Sequence, residues 1–207
     1  MDFTVLDIQA ELRALERRYH TPHFFDLTLR VLCEAQHANL LANIPKEDLP
    51  VIAEAARLHD IGLLAIPSGL PEAPARTPYE NALFQKHPEY GKVLLHALAP
   101  QGKRLPPLIC YAMEICYRHH EQWSGDGYPC GLKGSQIPAY VQVVSLTDCY
   151  DTLRMSNGRR SAMSHEGAME VLSHFYQGYF NPRLVDCFES VSDCLVADLY
   201  TGRDARA

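Results

Sequence analysis

Residues 141–150 read VQVVSLTDCY, and whether they form a strand or a helix decides the fold. Valine, threonine and tyrosine suit a pleated, half-buried strand. The surroundings point the other way. The apolar pattern runs on from residue 137 to residue 154, too long for an ordinary strand. A helix buried on every side also carries apolar residues all round. The spacing therefore predicts a buried helix over 137–154.

Outward from this segment, helical patterns dominate. Residues 3–19, FTVLDIQAELRALERRY, place apolar side chains at helical spacing. Pro22 can open a helix running through FFDLTLRVLCEAQHANLLANI. Pro45 fits the start of another, which Pro50 can split and Gly62 ends. Residues 67–78, PSGLPEAPARTP, hold four prolines and a glycine and read as a loop. Further helices are expected over 79–98, 106–119, 165–177 and 181–198. With no repeat, low-complexity tract or linker, the expectation is one all-α domain over 21–207, preceded by an N-terminal helical extension over 1–20.

Composition narrows the function. The 207 residues are 47% hydrophobic and 21% charged, as expected for one globular core. A net charge of -6 argues against coating DNA, which needs a basic face. Seven cysteines, an odd number with no C-x-x-C pair, read as free thiols in a reducing compartment. No targeting signal or membrane-length apolar run is present, so a cytoplasmic protein is expected.

The chemistry lies in His59–Asp60 (ARLHDIG), His87 (KHPEYG), His119–His120 (RHHE) and Asp148 (SLTDCYD). A single histidine in apolar company is usually a satisfied core residue. Burying four of them with two aspartates and no shared partner would cost several kcal/mol. Imidazole and carboxylate suit first-row transition metals, and an aspartate has two oxygens with which to bridge two ions. Two ions about 3.5–4 Å apart form the usual arrangement for phosphodiester hydrolysis. Neighbours on a helix point about 100° apart. Both members of an HD or HH pair can therefore serve one centre only if several helices wrap around it.

The order HD, HPxxG, HHExxxGxGYP with GLxGxxIP, then DxYD resembles the HD-GYP domains, the cyclic di-GMP phosphodiesterase branch of the HD superfamily. FNPRLVDCF is similar to a further family stretch. The resemblance implies an HD-superfamily bundle of about seven helices around two or three metal ions, iron or manganese most often. It implies Asp60 as the bridging carboxylate, His59 and Asp148 on one ion, and His87, His119 and His120 on the other. The catalytic set would be His59, Asp60 and Asp148. Tyr128 and Pro129 would shape a loop that meets a guanine or a partner, and Lys133 closes the same loop. Arg159 or Arg160 would hold a phosphate.

The chain departs from the family pattern at several positions. Leu27 stands where the family has a ligating histidine; His23, one turn earlier, is the candidate substitute. Leu63 replaces a lysine, Asn157 an arginine, and Ser124 an aspartate. The implied activity is metal-dependent hydrolysis of cyclic di-GMP, or a related cyclic dinucleotide, to the linear dinucleotide. A second expectation, favoured by Leu27 and Leu63, is a non-enzymatic dinucleotide receptor or a module docking cyclase-domain partners through the GYP loop. A third is an HD-superfamily hydrolase or oxygenase with another substrate. The apolar face of the N-terminal helix offers a homodimer contact.

Overall fold

The computed structural model describes residues 14, 17, 19–73, 75–99, 104–156 and 161–195. Most of the expected N-terminal helix, with the dimer contact built on it, lies outside these residues. So do Asn157, Arg159 and Arg160.

The described residues form helices and no strand. They comprise α1 (Phe24–His37), α2 (Leu49–Ala56), α3 (Pro78–Phe84), α4 (His87–Leu98), α5 (Pro107–Arg118), α6 (Ala139–Arg154), α7 (His165–Glu170) and α8 (Pro182–Leu195). Short 3-10 turns cover Lys46–Asp48, Ile61–Ala65 and Gly134–Gln136. No helix among the described residues is long and apolar enough to cross a membrane.

The strand-like stretch is the central helix α6. Val141, Val143, Val144 and Leu146 are fully buried and fall all round the helix at 100° steps. Packing on every side overrides β-propensity here. α1 packs against α2, α6 and α8, while α5 packs against α2 and α4. Leu27, where a ligand was expected by resemblance, is wholly buried in this core with Val31, Leu32 and Phe188. The interface of α1 and α6 also holds a buried hydroxyl pair, Thr28 with Thr147 at 3.0 Å.

Several boundaries differ from the sequence expectation. α1 stops at His37, short of the expected Ile44. The segment 79–98 is two helices, because Pro88 has no N–H to continue a helix and instead opens α4 in its first turn. The first of the two, α3, is started by a capping box between Thr77 and Glu80. The segment 165–177 passes from α7 into a π-helical turn over Val171–Phe175. Gly62 does not end α2, which stops at Ala56. It lies within the following 3-10 turn, where a Cβ would fall 1.9 Å from the His87 carbonyl oxygen. Its role is close approach: α4 meets the turn carrying His59 and Asp60 backbone to backbone.

Candidate metal centre

The two adjacent pairs lie just beyond helix ends, which resolves their 100° problem. α2 ends at Ala56, and Leu58, His59 and Ile61 follow in tight turns bonded to Ala55, Ala56 and Leu58. α5 ends at Arg118, so His119 is its C-cap and His120 lies in the turn beyond it. His87 begins α4 and Asp148 projects from α6. Four parts of the chain thus converge on one point.

The imidazoles share a geometry. His59 Nδ1 lies 2.7 Å from the Ala56 carbonyl, His87 Nδ1 2.9 Å from that of Phe84, and His119 Nδ1 2.9 Å from that of Cys116. Donating Nδ1–H to a carbonyl three residues back leaves the Nε2 lone pair facing inward. The Nε2 atoms of His87 and His119 are 3.3 Å apart, and those of His87 and His120 are 3.1 Å apart. Facing lone pairs repel unless a cation or proton lies between them. Two donors each about 2.1 Å from one ion would sit roughly 3.0–3.4 Å apart, so this triad fits a metal.

Asp60 spans two donor sets. Its Oδ1 is 3.4 Å from His87 Nε2 and 3.6 Å from His119 Nε2, while Oδ2 is 3.8 Å from His59 Nε2. His59 Nε2 also lies 3.5 Å from Asp148 Oδ1. The electrostatics follow. Burial disfavours charge on Asp60, yet the His59 imidazole, then His119 and His87, hold its carboxyl well below the usual range. Burial would lower the pKa of His59, but Asp60 and Asp148 lift it to about 9. Burial lowers His87 to about 4. Burial also takes His120 well down, with help from His119 and His87. His87 and His120 therefore offer neutral lone pairs at physiological pH.

Beside this centre lies a histidine absent from the expected set. His20, in the segment before α1, is 5% exposed. Its ring stacks on Phe24 with centroids 4.3 Å apart and lies 4.8 Å from the ring of His59. Among the described residues neither of its nitrogens has a hydrogen-bond partner, and His59 Nε2 lacks one too. A buried polar group left unpaired costs about 1–3 kcal/mol, so these orphaned atoms also fit a cation. Ligating atoms converge within 4.8 Å in three groups: His87, His119 and His120; His59, Asp60 and His119; and His20, His59 and Asp148.

His23, the expected substitute for Leu27, is in none of these groups among the described residues. The reason is local. Asp151 accepts bonds from the backbone N–H of Thr21, at 2.8 Å, and from the Thr21 hydroxyl. That anchor turns the chain before α1 and puts His20 inside, leaving His23 as the half-buried N-cap. In the sequence, the only trace is a histidine before the Thr-Pro pair that opens α1, together with the second aspartate of DxYD. Helical periodicity highlights neither.

The GYP loop is built around Glu121, the buried third residue of HHE. Its carboxylate accepts from the backbone N–H of Cys130 at 2.6 Å and of Leu132 at 2.7 Å. Gly127 is needed because a Cβ there would lie 2.4 Å from the Gln122 nitrogen and 2.5 Å from the His120 oxygen. The Tyr128–Pro129 peptide is cis. Tyr128 stacks on His120, centroids 4.7 Å apart.

A cavity of about 460 Å³ opens beside the centre, within the size range of small-molecule sites. His119, His120 and Asp148 line it, together with Tyr128, Tyr176, Tyr179 and Phe180. The aromatic side was not expected from the sequence. It is tied to the GYP loop by Trp123 N–H to the Tyr179 carbonyl and Ser124 N–H to the Gly178 carbonyl, both 2.8 Å. Pro129 and Lys133 do not line the cavity. Leu63 packs with Ile66 and Leu70 in a separate apolar cluster, so a different residue must supply any cation there.

A bundle of helices closing buried imidazoles around a shared aspartate is the architecture of the HD superfamily, and comparison with known proteins agrees. The sequence profile of the HD domain family matches residues 17–184. A Vibrio cholerae protein named "Probable cyclic di-GMP phosphodiesterase" is 37% identical over 136 residues, 65% of this chain and 31% of that one. From the same organism, "3'3'-cGAMP-specific phosphodiesterase 2" is 31% identical over 158 residues, 76% of this chain and 29% of that one. An HDG"Y"P protein of Bdellovibrio bacteriovorus shares the fold with a TM-score of 0.60 at 20% identity, over 91% of this chain and 59% of that one. The chain belongs to the HD domain family. It spans about a third of the length of these curated relatives.

Proposed function

We propose that the chain is a metal-dependent phosphodiesterase that opens a cyclic dinucleotide, cyclic di-GMP or 3'3'-cGAMP, to its linear form. The observation that carries this is Asp60, whose two oxygens face separate sets of inward imidazole nitrogens. His87, His119 and His120 would hold one divalent ion, and His59 with Asp148 the other, iron or manganese suiting such donors. When bound, the ions would neutralise phosphoryl charge and lower the pKa of water for attack at phosphorus.

The remaining work falls to the chain itself. Tyr128 and the aromatic side of the cavity offer flat faces on which nucleobases stack, worth roughly 1–3 kcal/mol per base. With Leu63 apolar, Arg159 or Arg160 would hold a non-bridging phosphate oxygen. The same loop face, with Pro129 and Lys133 at its exposed end, remains the surface for a protein partner. The described cysteines with described side chains, Cys33, Cys110, Cys116, Cys130, Cys149 and Cys187, are free thiols, which supports action in the reducing cytoplasm.

The test is to load purified protein with manganese or iron and supply each dinucleotide, identifying products by mass spectrometry. The linear dinucleotide is expected, and Asp60→Ala should abolish it. Absence of product from both substrates with both metals overturns the proposal.

A further inference from the structure

The second ion position is short of ligands if only His59, Asp60 and Asp148 serve it, because Leu27 on α1 cannot ligate. We infer that His20 completes it, so that the ligand arrives from the segment before α1 instead of from the helix. This rests on the metal-dependent reading above and assigns one further residue to it.

Three observations carry the inference. First, a ring nitrogen of His20 falls within 4.8 Å of the ligating atoms of both His59 and Asp148. Second, the side chain is 2% exposed, and neither ring nitrogen makes a hydrogen bond among the described residues. Its nearest carboxylates, Asp151 at 3.5 Å and Asp148 at 4.0 Å from Nδ1, stand beyond hydrogen-bond length. An imidazole so enclosed has room for a ligated ion and no hydrogen-bond partner among the described residues. Third, the segment is anchored. Asp151 grips both the N–H and the hydroxyl of the neighbouring Thr21, and Phe24 backs the ring. Such preset orientation is what ligating histidines receive from surrounding groups.

The bland alternative is a buried histidine paired electrostatically with Asp148 and Asp151. It predicts no dependence of metal stoichiometry on His20, so counting metals separates the two.

The full chain, stripped with chelator, is titrated with manganese by calorimetry. Bound manganese is counted by elemental analysis after desalting. Wild type is expected to hold two ions and to show the electron paramagnetic resonance of an exchange-coupled pair. His20→Ala and His20→Phe should each lose one ion, or weaken one binding step by about 100-fold or more, and show the six-line signal of isolated manganese. His20→Phe keeps an aromatic ring against Phe24, so it guards against loss through misfolding; circular dichroism confirms the fold of both variants. His23→Ala should retain the coupled pair. Two ions and a coupled signal in His20→Phe overturn the inference while leaving the phosphodiesterase reading intact. No manganese on wild type overturns both.

Discussion

Gly62 lies so close to His87 that a Cβ on it would meet the His87 carbonyl oxygen at 1.9 Å and the Gly91 nitrogen at 2.7 Å. This contact sets how near α4 comes to the turn bearing Asp60, and so whether His87 and Asp60 can share an ion. Two glycines, Gly62 and Gly91, remove the atoms that would hold the backbones apart. Gly62→Ala should therefore destabilise the fold by about 1–3 kcal/mol or more, as overpacking does. It should also weaken manganese binding. Thermal melts with and without metal check this; an unchanged melting temperature and affinity would contradict it.

Metal removal should destabilise the protein beyond losing activity. The Nε2 atoms of His87 and His119 point lone pairs at one another, and that of His120 crowds His87 Nε2 at 3.1 Å. An ion that binds only the folded chain adds about 2.7 kcal/mol when its concentration is 100 times its dissociation constant. Chelation should lower the melting temperature, and added manganese should restore it. Asp60→Asn, which removes the bridging charge, should show a much smaller metal-dependent shift.

Metal binding should expel a proton. With its pKa raised to about 9 by Asp60 and Asp148 against the cost of burial, His59 should carry a second proton, on Nε2, at pH 7.5 in the metal-free chain. A ligating imidazole must be neutral, so binding at the His59 position releases one proton. His87, lowered to about 4, has none to release. Affinity at the His59 position should thus rise with pH up to about 9 and level off above it. Calorimetry in buffers of different ionisation enthalpy measures the release directly. An enthalpy independent of buffer would refute the protonated His59.

Glu121 should matter without touching the ions. Its buried carboxylate holds the Cys130 and Leu132 amides. Glu121→Gln has one acceptor oxygen for two N–H donors, which leaves one amide unpaired at a cost of about 1–3 kcal/mol. Faster hydrogen exchange at residues 130 and 132 is expected, with the metal count unchanged. Activity should fall through a higher KM, since Tyr128 is placed by the same loop.

Much of the site was legible in the residue order. HD, HPEYG, HHE with GYP, and DCYD each marked a side chain that the fold brings to the candidate centre, because a metal demands particular donor atoms and those leave a local signature. The helix over 139–154 was legible from its length despite its valines. Position 23 misled, since the sequence suggested continuing the face of α1 backwards by one turn. The chain instead turns at Thr21, and what turns it is Asp151, 130 residues away. The break before α4 and the aromatic side of the cavity were likewise missed, because both depend on how one segment meets another.

The sequence by itself determined the all-helical class, the six candidate donors and the glycines without which the loop could not turn. These follow from side-chain chemistry and local periodicity. Only the tertiary structure decided that His20 and not His23 joins the candidate donor groups, that Leu63 withdraws into an apolar cluster, and that Tyr176, Tyr179 and Phe180 line the cavity with His119, His120 and Asp148. Each depends on contacts between segments far apart along the chain, and such contacts form only when the bundle closes.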